Sequence, residues 1–239
     1  MNRQAQGVVL LLLGGAVLRA SLSDLYLRYV RQGLRPFLIC AGIVLVIAAI
    51  MTLWYDLRRT LDAGGDEHGH GHREPGVGWL LILPVLGLVL VAPPALGSYA
   101  AGQSGTALGS QQLSDFPPLP AGDPAQISVL DYASRAVFDE GHSIGPRRVQ
   151  LTGFIMAAPD GSTYLARMVL SCCAADARPV KVGLAGDGAP TGLGPDTWVQ
   201  VTGTYTAQHT TDPVNKEQIP FLTVTEWHMT KAPKNQYEG

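Results

Sequence analysis

Between Phe37 and Tyr55 the chain reads FLICAGIVLVIAAIMTLWY, nineteen residues without a charge. At ~1.5 Å per residue, roughly 20 apolar residues in a helix cross the ~30 Å hydrocarbon core of a bilayer. A helix that is apolar all round has no polar face to turn toward water, so it needs protein or lipid on every side. Gly78 to Tyr99, GWLLILPVLGLVLVAPPALGSY, is a second such run. Trp54, Tyr55, Trp79 and Tyr99 stand at the run ends, where interfacial aromatics gather. Pro84 and the Pro93-Pro94 pair kink or terminate the second run, which a bilayer tolerates when neighbouring groups satisfy the freed backbone. Only 15% of residues are charged, against roughly 25% in ordinary soluble domains.

The N-terminal run is uninterrupted only from Gly7 to Leu18. Continued through Arg19, Ser21, Ser23 and Asp24 to Tyr29, it reaches spanning length with polar groups included. A cleaved signal peptide ending near Ala20 is the alternative. The region 1–100 is therefore expected to hold transmembrane helices at about 7–29, 37–55 and 78–99, with a loop at 56–77. Three spans put that loop and the C-terminal half on opposite sides of a cell membrane. No Lys or Arg occurs between Tyr99 and Arg135, which favours an extracytoplasmic C-terminal domain.

The composition changes after residue 100. Residues 101–124 are rich in Gly, Ser, Ala and Pro and read as a flexible linker. From Ala125 to Glu140, Val129, Leu130, Ala133, Val137 and Phe138 recur at helical spacing, and Gly141 stops the helix. Five strand-like segments follow, at Arg148–Ala157, Thr163–Cys173, Pro179–Leu184, Thr197–Ala207 and Phe221–Thr230. Val149-Gln150-Leu151-Thr152-Gly153 nearly repeats as Val199-Gln200-Val201-Thr202-Gly203. Both copies place Gly where a strand bends in a small closed barrel. The fold class expected is an α+β membrane protein: transmembrane helices, then a domain at 125–239 in which a short helix precedes a five-stranded OB-like β-barrel. A small sandwich is the runner-up. From Arg147 to Gly239 eight basic residues balance eight acidic ones, so nucleic acid is not an expected partner.

Half of the six histidines fall in the 56–77 loop, as Asp66-Glu67-His68-Gly69-His70-Gly71-His72-Arg73-Glu74. Alternate residues of an extended chain share a face, so His68, His70 and His72 can point at one ion, with Asp66 and Glu67 as oxygen ligands. Imidazole suits zinc, copper or nickel. A polar connector between spans is the plain alternative. Cys172 and Cys173 end the second strand, where alternation turns one thiol inward to the core and the other outward. The outward thiol and Asp176 are weaker metal candidates, with His228 as a possible assistant if the fold brings it near. Cys40 reads as apolar filling. No catalytic or cofactor-binding residue is assigned: there is no nucleophile elbow, Walker loop or His-Glu-x-x-His.

The order of these pieces, namely His68-Gly69-His70-Gly71-His72, Val149 to Phe154, Cys173-Ala174-Ala175-Asp176, Trp198 to Gly203 and Val224-Thr225-Glu226-Trp227, resembles the YcgQ-type permease-subunit family. That resemblance implies an accessory role beside a larger multi-span permease of the YraQ type, with a link to zinc. This chain carries fewer loop histidines than some relatives and a Cys pair where they have one. The expected function is a non-enzymatic integral-membrane accessory subunit that handles a divalent metal such as zinc. Two rivals stand beside it: a thiol-dependent redox or metal-relay protein using Cys172 or Cys173, and an exported ligand-binding barrel tethered to the membrane.

Overall fold

A computed structural model describes residues 3–62, 86–87, 94–108, 116–158 and 161–238. The chain divides into two compact units, Met1–Tyr26 with Gln32–Pro94, and Leu27–Arg31 with Ala95–Gly239.

In the first unit, helix α1 (Arg3–Leu22) packs against helix α2 (Arg35–Asp62). Their glycines set the spacing: a Cβ at Gly7 would fall 2.8 Å from Leu53, at Gly14 2.9 Å from Val46, and at Gly42 2.8 Å from Leu18. Small residues let apolar helices approach backbone to backbone, as membrane helix pairs do. Polar groups are satisfied within the pair. Ser21 Oγ donates to the Val17 carbonyl and Thr52 Oγ1 to that of Ala48, each at 2.7 Å, while Arg35 Nε donates to the Ser21 carbonyl at 2.9 Å. The outer surface of α2 bares Phe37, Val44, Ile47 and Met51. Gln32–Arg58 is long and apolar enough to cross a membrane, and only 11% of its most apolar window is buried. A soluble core helix would be mostly covered.

The first expected span ends early. Helix α1 stops at Leu22, and its apolar part, Gln6–Leu22, lies at the short end of the roughly 17–25 residues a crossing takes. Ser23 Oγ turns back to the Arg19 and Ala20 carbonyls, and a 3-10 turn, Asp24–Arg28, takes over. Leu27–Arg31 then joins the second unit. Most of the third expected span and all of His68, His70, His72, Asp66 and Glu67 lie outside the described residues. Where that third run ends, Ser98 and Tyr99 open a short helix, α3 (Ser98–Gln103), of the second unit.

The second unit is built from β1 (Ala125–Gln126), helix α4 (Val129–Phe138), β2 (Val149–Ala157), β3 (Thr163–Val169), β4 (Arg178–Ala185), β5 (Trp198–Thr211), β6 (Gln218–Met229) and β7 (Tyr237–Glu238). The order β2-β5-β6-β4-β3 closes through β2–β3 pairing, so five strands form a barrel. All pairs in the ring are antiparallel except β4 with β6. This is the Greek-key ring of an OB-like fold. Strand β2 manages two neighbours by switching at Phe154, from β5 before it to β3 after it. That closure removes the sandwich reading. The two repeat glycines serve it: a Cβ at Gly153 would lie 2.7 Å from the Ala166 carbonyl oxygen, and Gly203 sits at a register shift against β6, with no room beside the Thr223 carbonyl.

Helix α4 is shorter than its periodicity predicts, because Ala125–Gln126 pairs with β2 and Ser128 caps the helix, its Oγ accepting the Asp131 N–H at 2.9 Å. Tyr132, fully buried, donates from its hydroxyl to the Phe221 carbonyl at 2.6 Å and ties α4 to β6. Around it Val129, Ala133, Val149, Leu151, Leu165, Val180, Val201 and Leu222 form the main core.

The expected linker is part of the barrel unit over its described residues. Ala101, Thr106 and Leu108 are buried. Thr106 N–H donates to Asp212 Oδ2 at 2.9 Å, and Lys181 Nζ reaches both Asp212 Oδ2 and the Ser104 carbonyl at 2.8 Å. A side chain at Gly105 would overlap Asn215. Small residues serve close approach here, not freedom of movement. Farther along, Arg147 Nη2 donates to the Pro120 and Gly122 carbonyls and Arg135 Nη2 to that of Pro117.

Candidate functional site

Strand β3 ends at Val169, four residues before the expected end, and Cys172 and Cys173 occupy the turn beyond it. Strand alternation therefore does not apply to them. Cys172 is exposed and Cys173 half-buried, so neither thiol is a core group. The turn is organised by Asp176, which closes a 3-10 turn over Ala174–Asp176. Its Oδ1 accepts the Ser171 N–H at 3.1 Å and its Oδ2 the Cys172 N–H at 2.7 Å. The two sulfurs lie 3.6 Å apart, and the donor atoms of Cys172, Cys173 and Asp176 all fall within 4.8 Å of one another.

A strip of chain from far upstream holds the turn from the other side. Val30 forms an antiparallel bridge with Cys173, the Ala174 N–H donates to the Tyr29 carbonyl at 2.7 Å, and the Arg31 N–H to the Cys172 carbonyl at 3.1 Å. Tyr237 pins this strip: its hydroxyl donates to the Arg28 carbonyl and accepts the Leu96 N–H, both at 2.9 Å. The Cys-Cys backbone is thus fixed on both flanks while the side chains stay accessible.

The electrostatics follow from this arrangement. The Cys172 thiol, hydrogen-bonded to the Asp176 carboxylate and then to Cys173, is pushed up to about 12. The same thiol contact, with the backbone N–H groups, holds Asp176 below the usual carboxylate range. Two thiols beside a carboxylate also make a compact donor set of the kind metal sites use. In a tetrahedral zinc site a Zn–S bond of ~2.3 Å sets sulfurs about 3.8 Å apart, close to the spacing here. His228 lies on β6 opposite Gln200 and does not join this donor group. Cys40 lies exposed on α2.

A second feature escaped the sequence reading. A polar groove of 340 Å³ is lined by Gln126, Gln150, Thr152, Arg167, Gln200 and Glu238, among others. Three residues of the sequence repeat line it, Gln150, Thr152 and Gln200: Gln150 pairs with Thr202 and Thr152 with Gln200, each glutamine amide facing the opposite threonine hydroxyl, at 3.5 and 3.3 Å. The doubled Val-Gln-x-Thr-Gly was the available signal, since it places Gln and Thr on one outer face of two paired strands. Arg167 was not predictable, because its neighbours come from elsewhere in the chain: its guanidinium lies 5.0 Å from the Trp198 ring, and its Nε 3.5 Å from Glu238 Oε1. Burial pushes Glu238 up, against the pull of Arg167 and two backbone N–H groups.

Residues 140–238 match the family described as the DUF1980 C-terminal domain. The matched stretch takes in the five barrel strands, the Cys-Cys turn and β7. It is consistent with the resemblance drawn from the motif order. No curated protein and no solved structure matches the chain.

Proposed function

We propose that this chain is a non-enzymatic accessory subunit anchored in a membrane by its apolar helices, and that it works beside a larger multi-span permease. The observation that carries the anchor is the surface of α2, on which Phe37, Val44, Ile47, Met51 and Trp54 stand uncovered. Leaving that much apolar surface in water is unfavourable at ~25 cal/mol per Å², so the helix calls for lipid or a membrane partner. The glycine-lined contact with α1 and the internal satisfaction of Ser21, Thr52 and Arg35 fit a hydrocarbon setting. Arg58 over the Trp54 ring, 5.0 Å away, fits an interfacial end. The multi-span partner, and the offer of loop imidazoles to a divalent metal such as zinc, follow from the motif resemblance and the histidine spacing.

The test is co-purification of a tagged chain from native-lipid particles. A stoichiometric multi-span membrane protein is the expected companion. Recovery of the chain as a solitary monomer under those conditions would end the accessory-subunit reading.

A further inference from the structure

We infer that the turn Cys172–Asp176 is a binding site for a thiophilic divalent metal ion, with Cys172 Sγ, Cys173 Sγ and an Asp176 carboxylate oxygen as ligands and a fourth position open to solvent. The inference concerns the barrel alone. It does not depend on the accessory-subunit reading or on the histidine loop.

Three observations support it. The donor set is soft and compact: two sulfurs 3.6 Å apart and a carboxylate, all within 4.8 Å. Thiolates select zinc and similar ions over magnesium or calcium, which prefer oxygen cages. The site is also arranged in advance. The Ser171 and Cys172 N–H groups orient the carboxylate, and the Tyr29–Arg31 strip fixes the backbone of Cys172 and Ala174. Little chain ordering is left for the ion to impose, and held outer partners raise ligand quality. Finally, Cys172 is exposed and Cys173 half-buried, so an ion has a path in and out. Closed four-ligand sites store zinc as structure, whereas three protein ligands leave a position for an incoming donor. Such a site suits transient holding and handover. On binding, both thiol protons leave to solvent and the ion takes their place, so charge and protons balance without a redox step.

The experiment uses the full chain in detergent micelles with thiols reduced, and cobalt(II) as the probe. One equivalent should produce a thiolate-to-cobalt charge-transfer band that zinc abolishes by displacement. Cys172→Ser and Cys173→Ser should each weaken cobalt binding by about tenfold or more, and Asp176→Asn should weaken it in the same direction. Replacing His68, His70 and His72 by Ala should leave the band intact, which separates this site from the loop. A second measurement needs no variant: saturating zinc should shield Cys172 and Cys173, but not Cys40, from iodoacetamide, read by mass spectrometry. The inference is overturned by a wild-type chain with no thiolate band, by a band that survives the Cys172→Ser/Cys173→Ser pair, or by equal labelling with and without zinc.

Discussion

At the scale of single residues, Lys181 and Asp212 are the most consequential pair in the barrel unit. Their side chains are 4% and 0% exposed, and Nζ lies 2.8 Å from Oδ2. Asp212 also accepts N–H groups from Thr106 and Val214, each at 2.9 Å, so one carboxylate gathers three segments of chain. Removing one member of a buried pair strands the other, at about 3–5 kcal/mol. Lys181→Met should therefore lower unfolding stability by about 3 kcal/mol, the low end, because two backbone donors remain to Asp212. Urea denaturation followed by tryptophan fluorescence would measure it, and a loss below about 1 kcal/mol would contradict this account. The pH dependence has a definite sign. Burial pushes the Asp212 carboxyl up, but its bonds to Lys181, Val214 and Thr106 outweigh that and hold it below the ordinary range. A depressed folded pKa means stability present above the unfolded value, roughly 3.9, and lost as pH falls through the folded one. Asp212→Asn should flatten the acid limb of the stability curve below about pH 4. None of this was legible beforehand. Lys181 and Asp212 are 31 residues apart, and Thr106 lies in a stretch whose composition reads as tether. Cys172 and Asp176 were visible in the sequence as donor types, but their geometry was not, because β3 ends at Val169 and puts them in a turn.

At the scale of elements, helix α4 and the last strand depend on each other. Glu238 Oε1 accepts the Val129 N–H at 3.1 Å and Oε2 the Leu130 N–H at 2.9 Å, satisfying two donors that a helix start leaves without partners. Ser128 Oγ accepts the next, the Asp131 N–H. Hydrogen bonds to charged groups contribute roughly 1.5–3 kcal/mol. Glu238→Ala should lower stability by about 2–3 kcal/mol and raise hydrogen exchange at Val129 and Leu130 well above that at Tyr132. Unchanged exchange at those two amides would show that the carboxylate does not cap the helix. Element types were the most readable level: all five barrel strands occur where alternation put them, within a few residues, because alternation reports which face is buried. The short outer strands β1 and β7 were not foreseen. Two residues carry no period, and their pairing is decided by what lies next to them in space.

At the scale of the whole molecule, helix α2 is long and apolar enough to cross a membrane. Ile43, Val44 and Ile47 are exposed on α2. An acidic residue near a helix centre opposes insertion by about 2.5–3.5 kcal/mol. Ile43→Asp with Ile47→Asp should move the chain from the carbonate-resistant pellet to the soluble or aggregated fraction, with wild type retained in the pellet. Equal partitioning of both would remove the membrane from the argument. Of the three apolar runs, the second coincides with helix α2, while the helix over the first ends at Leu22, where Ser23 turns back on its own carbonyls. One further consequence concerns the strip Leu27–Arg31, which precedes α2 in sequence and yet belongs to the barrel unit, where Val30 bridges Cys173. A fragment starting at Ala95 would lack this pentapeptide, leaving the Ala174 amide without its acceptor and the Tyr237 hydroxyl with only its Leu96 contact. Supplying that five-residue piece separately, as a synthetic peptide, is then a way to ask whether the barrel unit binds its own missing strip without a covalent link.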